Sequence, residues 1–171
     1  MDRRIYDHPH RRYERGRPIT IDFDGQSYRA FTSEPVAIGL FASGAKVLSR
    51  SIKYHRPRTF FCLDGHCGAC LTRVDGLPNV KSCQEPCHDG LAGQGQNAFP
   101  ASDLDVLGAV DWLFPKGMDH HTLMTGSKIL NHVMTKLVRQ LSGLGTLPDR
   151  PPPSLPEVRA RNVDVVVVGA G

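Results

Sequence analysis

No run of apolar residues approaches the roughly 18 that a membrane-crossing helix needs, so a transmembrane helix is excluded. Aromatic residues are scarce, 7% of 171 with one Trp, and no regular aromatic platform is present for stacking RNA bases. Charge of one sign is nearly balanced. The 21 Lys and Arg against 17 Asp and Glu leave a formal +4, too little to call for a nucleic-acid partner. Arg3 and Arg4 are not followed by an apolar segment of the kind an export signal carries, so a cytoplasmic protein is expected. No Ser/His/acid set or carboxylate pair stands at a spacing that serves hydrolysis, and His120-His121 after Asp119 reads as loop surface. Cysteine is absent outside residues 62–87. What is abundant is Gly (17) and Pro (13), the residues of turns and linkers rather than of one long bundle.

Residues 1–17 hold six arginines against Asp2, Asp7 and Glu14, and read as an exposed, mobile basic arm. Ile19, Ile21 and Phe23 then alternate with polar residues, Asp24-Gly25 reads as a tight turn, and Gln26 to Phe31 returns as a second strand. Thr32 and Ser33 are candidate helix caps, with Pro35 in the first turn, Val36, Ala37, Leu40 and Phe41 as the apolar face and Gly44 as the stop. A long loop through Arg58 follows, carrying the basic run Lys46, Arg50, Lys53, Arg56 and Arg58, which suits either a solvated face or an acidic partner. Leu71 to Val74 reads as a strand, Asp75-Gly76 and Leu77-Pro78 as turns, and Val80 to Cys83 as the next strand. The pieces favour a small mixed sheet against one helix, an α+β domain over 18–90.

Residues 91–145 have another rhythm. Gly93 and Gly95 loosen the start, and Ile129, Leu130, Val133, Leu137, Val138 and Leu141 recur at helical spacing, so a helical connector is expected. Five prolines stiffen a linker over 146–162. From 163 to 171, Val165 to Val168 followed by Gly169-Ala170-Gly171 reads as the first strand and glycine turn of a dinucleotide-binding unit, incomplete because the third glycine and its helix are missing.

The cysteines carry the sharpest signal. Cys62, Cys67, Cys70 and Cys83 stand in the pattern C-x4-C-x2-C-x12-C, with Cys87 four residues on. Soft thiolates bind iron or zinc, and four complete either a [2Fe-2S] cluster or a structural zinc site. Three cysteines in a short loop with a fourth remote match the plant-type [2Fe-2S] spacing better than the two short pairs of a zinc knuckle. Gly65 and Gly68 permit a tight loop whose amides approach the sulfurs, and His66 reads as an exposed neighbour. Cys83 is the favoured fourth ligand, with Cys87 as spare or substitute. A zinc-stabilised interaction module without redox role is the alternative, and a disulfide framework is disfavoured by the odd cysteine count.

With these residues in view, the chain resembles the N-terminal, ferredoxin-like part of the alpha subunits in the group of sarcosine oxidase, opine oxidase, amino-acid dehydrogenase and hydrogen cyanide synthase. The likeness runs through Ser49-Arg50-Ser51-Ile52-Lys53-Tyr54-His55-Arg56-Pro57-Arg58 and then Cys62, Gly65, Cys67, Cys70, Arg73, Val74, Asp75, Gly76 and Cys83. It continues in Ala109 to Met118, Thr122 to Met124, Leu137 to Arg139, Gly143-Leu144-Gly145 and Asp164 to Gly171. The resemblance implies a β-grasp, 2Fe-2S ferredoxin-like domain, then a helical connector and the first strand of a truncated FAD- or NAD-binding domain. It implies that Cys62, Cys67, Cys70 and Cys83 bind the cluster beside Gly65 and Gly68. It also implies a complex with flavin-containing subunits, FAD and a second candidate flavin, FMN, that oxidises amines or amino acids. In such a complex this chain carries electrons and has no catalytic residue of its own.

Overall fold

The computed structural model of the chain describes residues 2–10, 14–52, 54–109, 112, 128–129, 132–133, 135–136, 147–148 and 160–168. Strand β1 (Pro18–Phe23) buries Ile19, Ile21 and Phe23 and turns Pro18, Thr20 and Asp22 outward, the period-2 pattern of a half-buried strand. Asp24 and Gly25 both take positive φ (52° and 74°), which gives the two-residue hairpin turn into β2 (Gln26–Phe31) its hand. The strands pair antiparallel from Pro18↔Phe31 to Phe23↔Gln26.

Helix α1 (Val36–Ala42) buries Val36, Ala37, Gly39, Leu40 and Ala42 against this hairpin. Thr32 and Ser33 do not cap it. Pro35 is the cap residue, with no side-chain hydrogen bond, and the first helical amides donate to backbone instead: Val36 N to Glu85 O (2.8 Å) and Ala37 N to Ser82 O (2.9 Å). The orphan donors of a helix start are thereby satisfied by the turn that carries Cys83.

After α1, the expected loop contains a two-strand ladder, β3 (Ser49–Arg50) with β4 (Pro57–Arg58). Strand β5 (Leu71–Val74) leads through Asp75-Gly76 into β6 (Leu77–Lys81). Leu77-Pro78 is therefore strand, not turn; β6 is an edge strand, where a proline's missing N–H removes no ladder bond. Cys83 accordingly lies in the turn after β6 rather than on a strand. Strand β7 (Ala92–Gln94) completes the sheet in the order β2-β1-β7-β5-β6, parallel to β1 and antiparallel to β5. A hairpin, one helix and a last strand returning beside the first make the β-grasp arrangement of an α+β domain.

The sheet extends past the boundary expected at 90, since β7 lies at its centre. The glycines read as loosening this segment do the opposite. A Cβ on Gly93 would stand 2.8 Å from Phe23 Cδ2 and one on Gly95 2.5 Å from Ser102 Cβ, so each lets two chains approach closely. A short 3-10 turn, Val106–Ala109, follows. Six residues of the expected connector helix are described (Lys128, Ile129, His132, Val133, Thr135 and Lys136), and all are helical. The remainder of that helix, His120-His121 and Gly169 to Gly171 lie outside the described residues. Val165 to Val168 are exposed and unassigned to any strand, because a strand exists only by pairing and no described strand lies beside them.

Most described residues of the N-terminal arm are exposed, as its charge leads one to expect, but Arg4 is an exception. Arg4 is docked with its side chain 3% exposed, and its guanidinium meets Glu34 through Nε (2.9 Å) and Nη2 (2.9 Å), with Arg29 O and Gly39 O accepting further bonds from Nη2. Arg3 N donates to Ala42 O at 2.9 Å. A carboxylate as buried as Glu34 requires a counter-charge, and the arm supplies it.

Candidate metal centre

The loop from Thr59 to Cys70 contains neither helix nor strand. It is anchored below by Phe60, whose ring meets Phe41 of α1 edge-on at 5.1 Å, while Phe61 beside it is 84% exposed. Leu63, Gly65 and Gly68 take positive φ (60°, 83° and 64°), coiling the chain so that amides turn toward sulfur. Cys67 N donates to Cys62 Sγ at 3.3 Å and Ala69 N to Cys67 Sγ at 3.4 Å. The far wall is the turn after β6. Ser82 donates to Cys70 O through both N (3.2 Å) and Oγ (2.6 Å), which brings Cys83 against Cys70.

The four thiols fall into two neighbouring pairs, Cys62 with Cys67 and Cys70 with Cys83. No three His, Cys, Asp or Glu side chains close on one point among the described residues. All five cysteines are free thiols. Exposure divides the pairs: Cys67 is exposed and Cys62 half-buried, whereas Cys70 and Cys83 are buried.

Electrostatics follow the same division. The Ala69 amide, with the amide and thiol of Cys62, lowers the Cys67 thiol to about 7. Burial pushes Cys70 up, and the neighbouring Cys83 thiol adds to the rise. Hydrogen bonds from the Cys62 thiol and the His66 amide hold the Asp64 carboxyl below its usual value. His66 is exposed and faces Asp64 at 3.1 Å. Cys87 stands apart from this group. It is 2% exposed in the core, a Cβ on Gly39 of α1 would lie 3.2 Å from its Sγ, and burial pushes its thiol up to about 12. The geometry puts Cys83, not Cys87, beside Cys70.

This donor set suits a [2Fe-2S] cluster. Four thiols in two pairs, amides directed at sulfur, and a glycine at 65 where a Cβ would press 3.2 Å against Gln84 Cγ are what a close-packed thiolate loop requires. Residues 16–98 match the family described as a 2Fe-2S iron-sulfur cluster binding domain. Over those residues the chain is similar to that family. The chain is 26% identical over 166 residues to the sarcosine oxidase subunit alpha of Rhizobium meliloti (strain 1021), covering 92% of this chain and 17% of that protein. Among solved structures it is similar to L-proline dehydrogenase from P. horikoshii, at 24% identity and a TM-score of 0.42 over 48% of this chain and 16% of that one. The chain thus spans less than a fifth of either relative. No helix among the described residues is long and apolar enough to cross a membrane.

Three features around the 2Fe-2S domain were not read from sequence. Arg50, one of the basic run, is a clasp and not a solvated charge: it donates to Ser102 O (2.7 Å), His55 O (3.1 Å) and Asp103 O (3.2 Å). His55 is buried against Asp105, Nδ1 to Oδ2 at 2.9 Å, pinning the Arg-rich segment to residues 99–107. Gln84, next to Cys83, reaches back to the cysteine loop. The His and Asp of the second pair are 50 residues apart, so nothing local marks them.

Proposed function

We propose that the chain is an electron-transfer [2Fe-2S] domain of a flavin-dependent amine or amino-acid oxidoreductase. The observation that carries this reading is the division of the four thiols into two pairs within a domain similar to the 2Fe-2S family, one pair for each of two irons. Cys62, Cys67, Cys70 and Cys83 would hold the cluster, Gly65 and Gly68 shape its loop, and the cluster supplies a one-electron relay when bound. The chain's own residues then set access and potential. Exposed Cys67 and Phe61 give a redox partner a close approach on one side, and buried Cys70 and Cys83 keep water from the other.

The likeness to a sarcosine oxidase subunit alpha supports a place among the subunits of an oxidoreductase, and flavin-containing partner subunits would hold FAD, with FMN as a second candidate flavin. Five unpaired thiols suit a reducing, cytoplasmic setting.

The test is metal and labile-sulfide analysis of anaerobically purified protein, with EPR before and after dithionite. About two irons and two sulfides per chain, and a signal that appears only on reduction, are expected. One zinc without sulfide or visible colour would overturn the reading and leave a zinc-stabilised interaction module.

A further inference from the structure

Gln84 is an exposed residue in a turn, a position where side chains are normally free, yet its amide is committed to three acceptors. Nε2 lies 2.9 Å from Leu63 O, 3.3 Å from Cys83 O and 3.8 Å from Cys83 Sγ. Two of the three are carbonyl oxygens, so the orientation of the amide is fixed by chemistry: the reversed amide would set Oε1 against two acceptors. Nε2 has two protons. One is taken by Leu63 O, and the other is shared between the carbonyl and the sulfur of Cys83.

The residues it ties together belong to the two halves of the site. Leu63 sits at φ 60°, a strained value for a non-glycine residue, and Gln84 holds the carbonyl that this twist presents. Gly65 is the other side of the same contact, because a Cβ there would lie 3.2 Å from Gln84 Cγ and 3.7 Å from its Cδ. The turn itself is set by Gln84 N donating to Lys81 O at 2.8 Å and by the carbonyls of Ser82 and Glu85 at the start of α1. Gln84 is thus fixed at its backbone by the sheet and helix and extends over the loop bearing Cys62 and Cys67.

We infer that Gln84 is a positioning residue that straps the cysteine loop to Cys83 and, by donating an N–H to Cys83 Sγ, raises the reduction potential of the centre. The inference rests on the [2Fe-2S] reading above. Its physical basis is that reduction adds negative charge shared onto the cysteine sulfurs, and a donor aimed at one of them stabilises the reduced state more than the oxidised state. A strap alone would need only the Leu63 bond. The bond to sulfur gives Gln84 an electronic effect as well.

The experiment compares the unsubstituted chain with Gln84→Met, similar in length without a donor, and Gln84→Glu, similar in shape with acceptors only. Iron and labile sulfide are measured first, then the midpoint by EPR-monitored titration. The expected result is a cluster retained in both variants with the midpoint moved to more negative potential, further in Gln84→Glu because the carboxylate adds charge, and faster cluster loss in air. An intact cluster with an unmoved midpoint in both variants overturns the inference while leaving the cluster reading in place. Absence of iron and sulfide from the unsubstituted protein overturns both. Should the variants fail to hold a cluster, hyperfine spectroscopy of the reduced, unsubstituted protein labelled with 15N in its glutamine side chains decides. A 15N coupling supports the bond, and its absence overturns it.

Discussion

The Arg4–Glu34 cluster and the cysteine loop flank the same short helix, and they handle costly groups in opposite ways. Glu34 is 7% exposed, and its carboxylate is fully answered by the chain: Arg4 grips it, Arg15 Nε stands at 3.7 Å and Phe31 N donates to it at 3.2 Å. The cysteine loop has no regular structure, three residues at positive φ, and amides that donate to sulfur where a stable loop would find carbonyls. One region is closed by its own side chains; the other would be completed by the cluster proposed above. Low intrinsic stability at a site is what a bound group can offset, because ligand held by the folded state alone adds directly to its stability.

The largest effect that separates the two regions is loss of the metal. Cys83→Ser is expected to reduce bound iron severely, with a large fall in thermal stability of the reconstituted protein. Cys87→Ala should keep the iron and cost about 1 kcal/mol through its packing in the core. Iron analysis and thermal denaturation of the two variants side by side read this out, and equal iron loss in both would erase the distinction between the buried core thiol and the site.

On the closed side, Glu34→Ala leaves Arg4 without its partner and Phe31 N without its acceptor, at a cost of about 3 kcal/mol. Arg4→Ala should cost less, about 2 kcal/mol, because Arg15 remains beside the carboxylate. Chemical denaturation measures both, and iron content should be unchanged in each. A Glu34→Ala variant as stable as the parent would mean the arm contributes nothing.

Much of the architecture was open to reading because it rests on local pattern. The alternation of Ile19, Ile21 and Phe23, the Asp24-Gly25 and Asp75-Gly76 turns and the Leu71–Val74 strand all have causes within a few residues. The cysteine spacing was legible for the same reason. What stayed hidden depends on partners distant in sequence. Thr32 and Ser33 look like caps until the carbonyls of Ser82 and Glu85 take their place, and Arg4 looks solvated until Glu34, 30 residues on, turns out to be buried. Gly93 is the sharpest case. Its composition reads as a loop, but its missing side chain is what lets β7 enter the sheet beside Phe23. Gly93→Ala is expected to cost about 2 kcal/mol, since Phe23 must shift. Denaturation checks this, and a neutral substitution would show that the segment was loose after all.

The smallest effect lies where the two regions share an edge, at the turn joining Cys87 to β7. His88 Nε2 meets Asp75 Oδ2 at 2.8 Å, while Asp75 Oδ1 accepts from Ala92 N at 2.9 Å, so the imidazole backs the carboxylate that holds β7 to the β5–β6 hairpin. The contact of its ring with Asp89 O, followed by the charge and hydrogen bond of Asp75, raises the His88 pKa above its ordinary value of 6.5. A raised folded-state pKa means the folded protein holds the proton more tightly than the unfolded chain. The stabilisation is therefore complete below about 6.5 and lost as pH rises through the higher folded-state value. Half-exposed, the pair is screened by water and should contribute less than about 1 kcal/mol. Cys87, one residue away and pushed up to about 12, stays protonated through that window. His88→Gln should accordingly lie below the parent in thermal midpoint at pH 6 and meet it by pH 9. A constant gap across that range would assign the His88 contribution to packing and hydrogen bonding in place of charge.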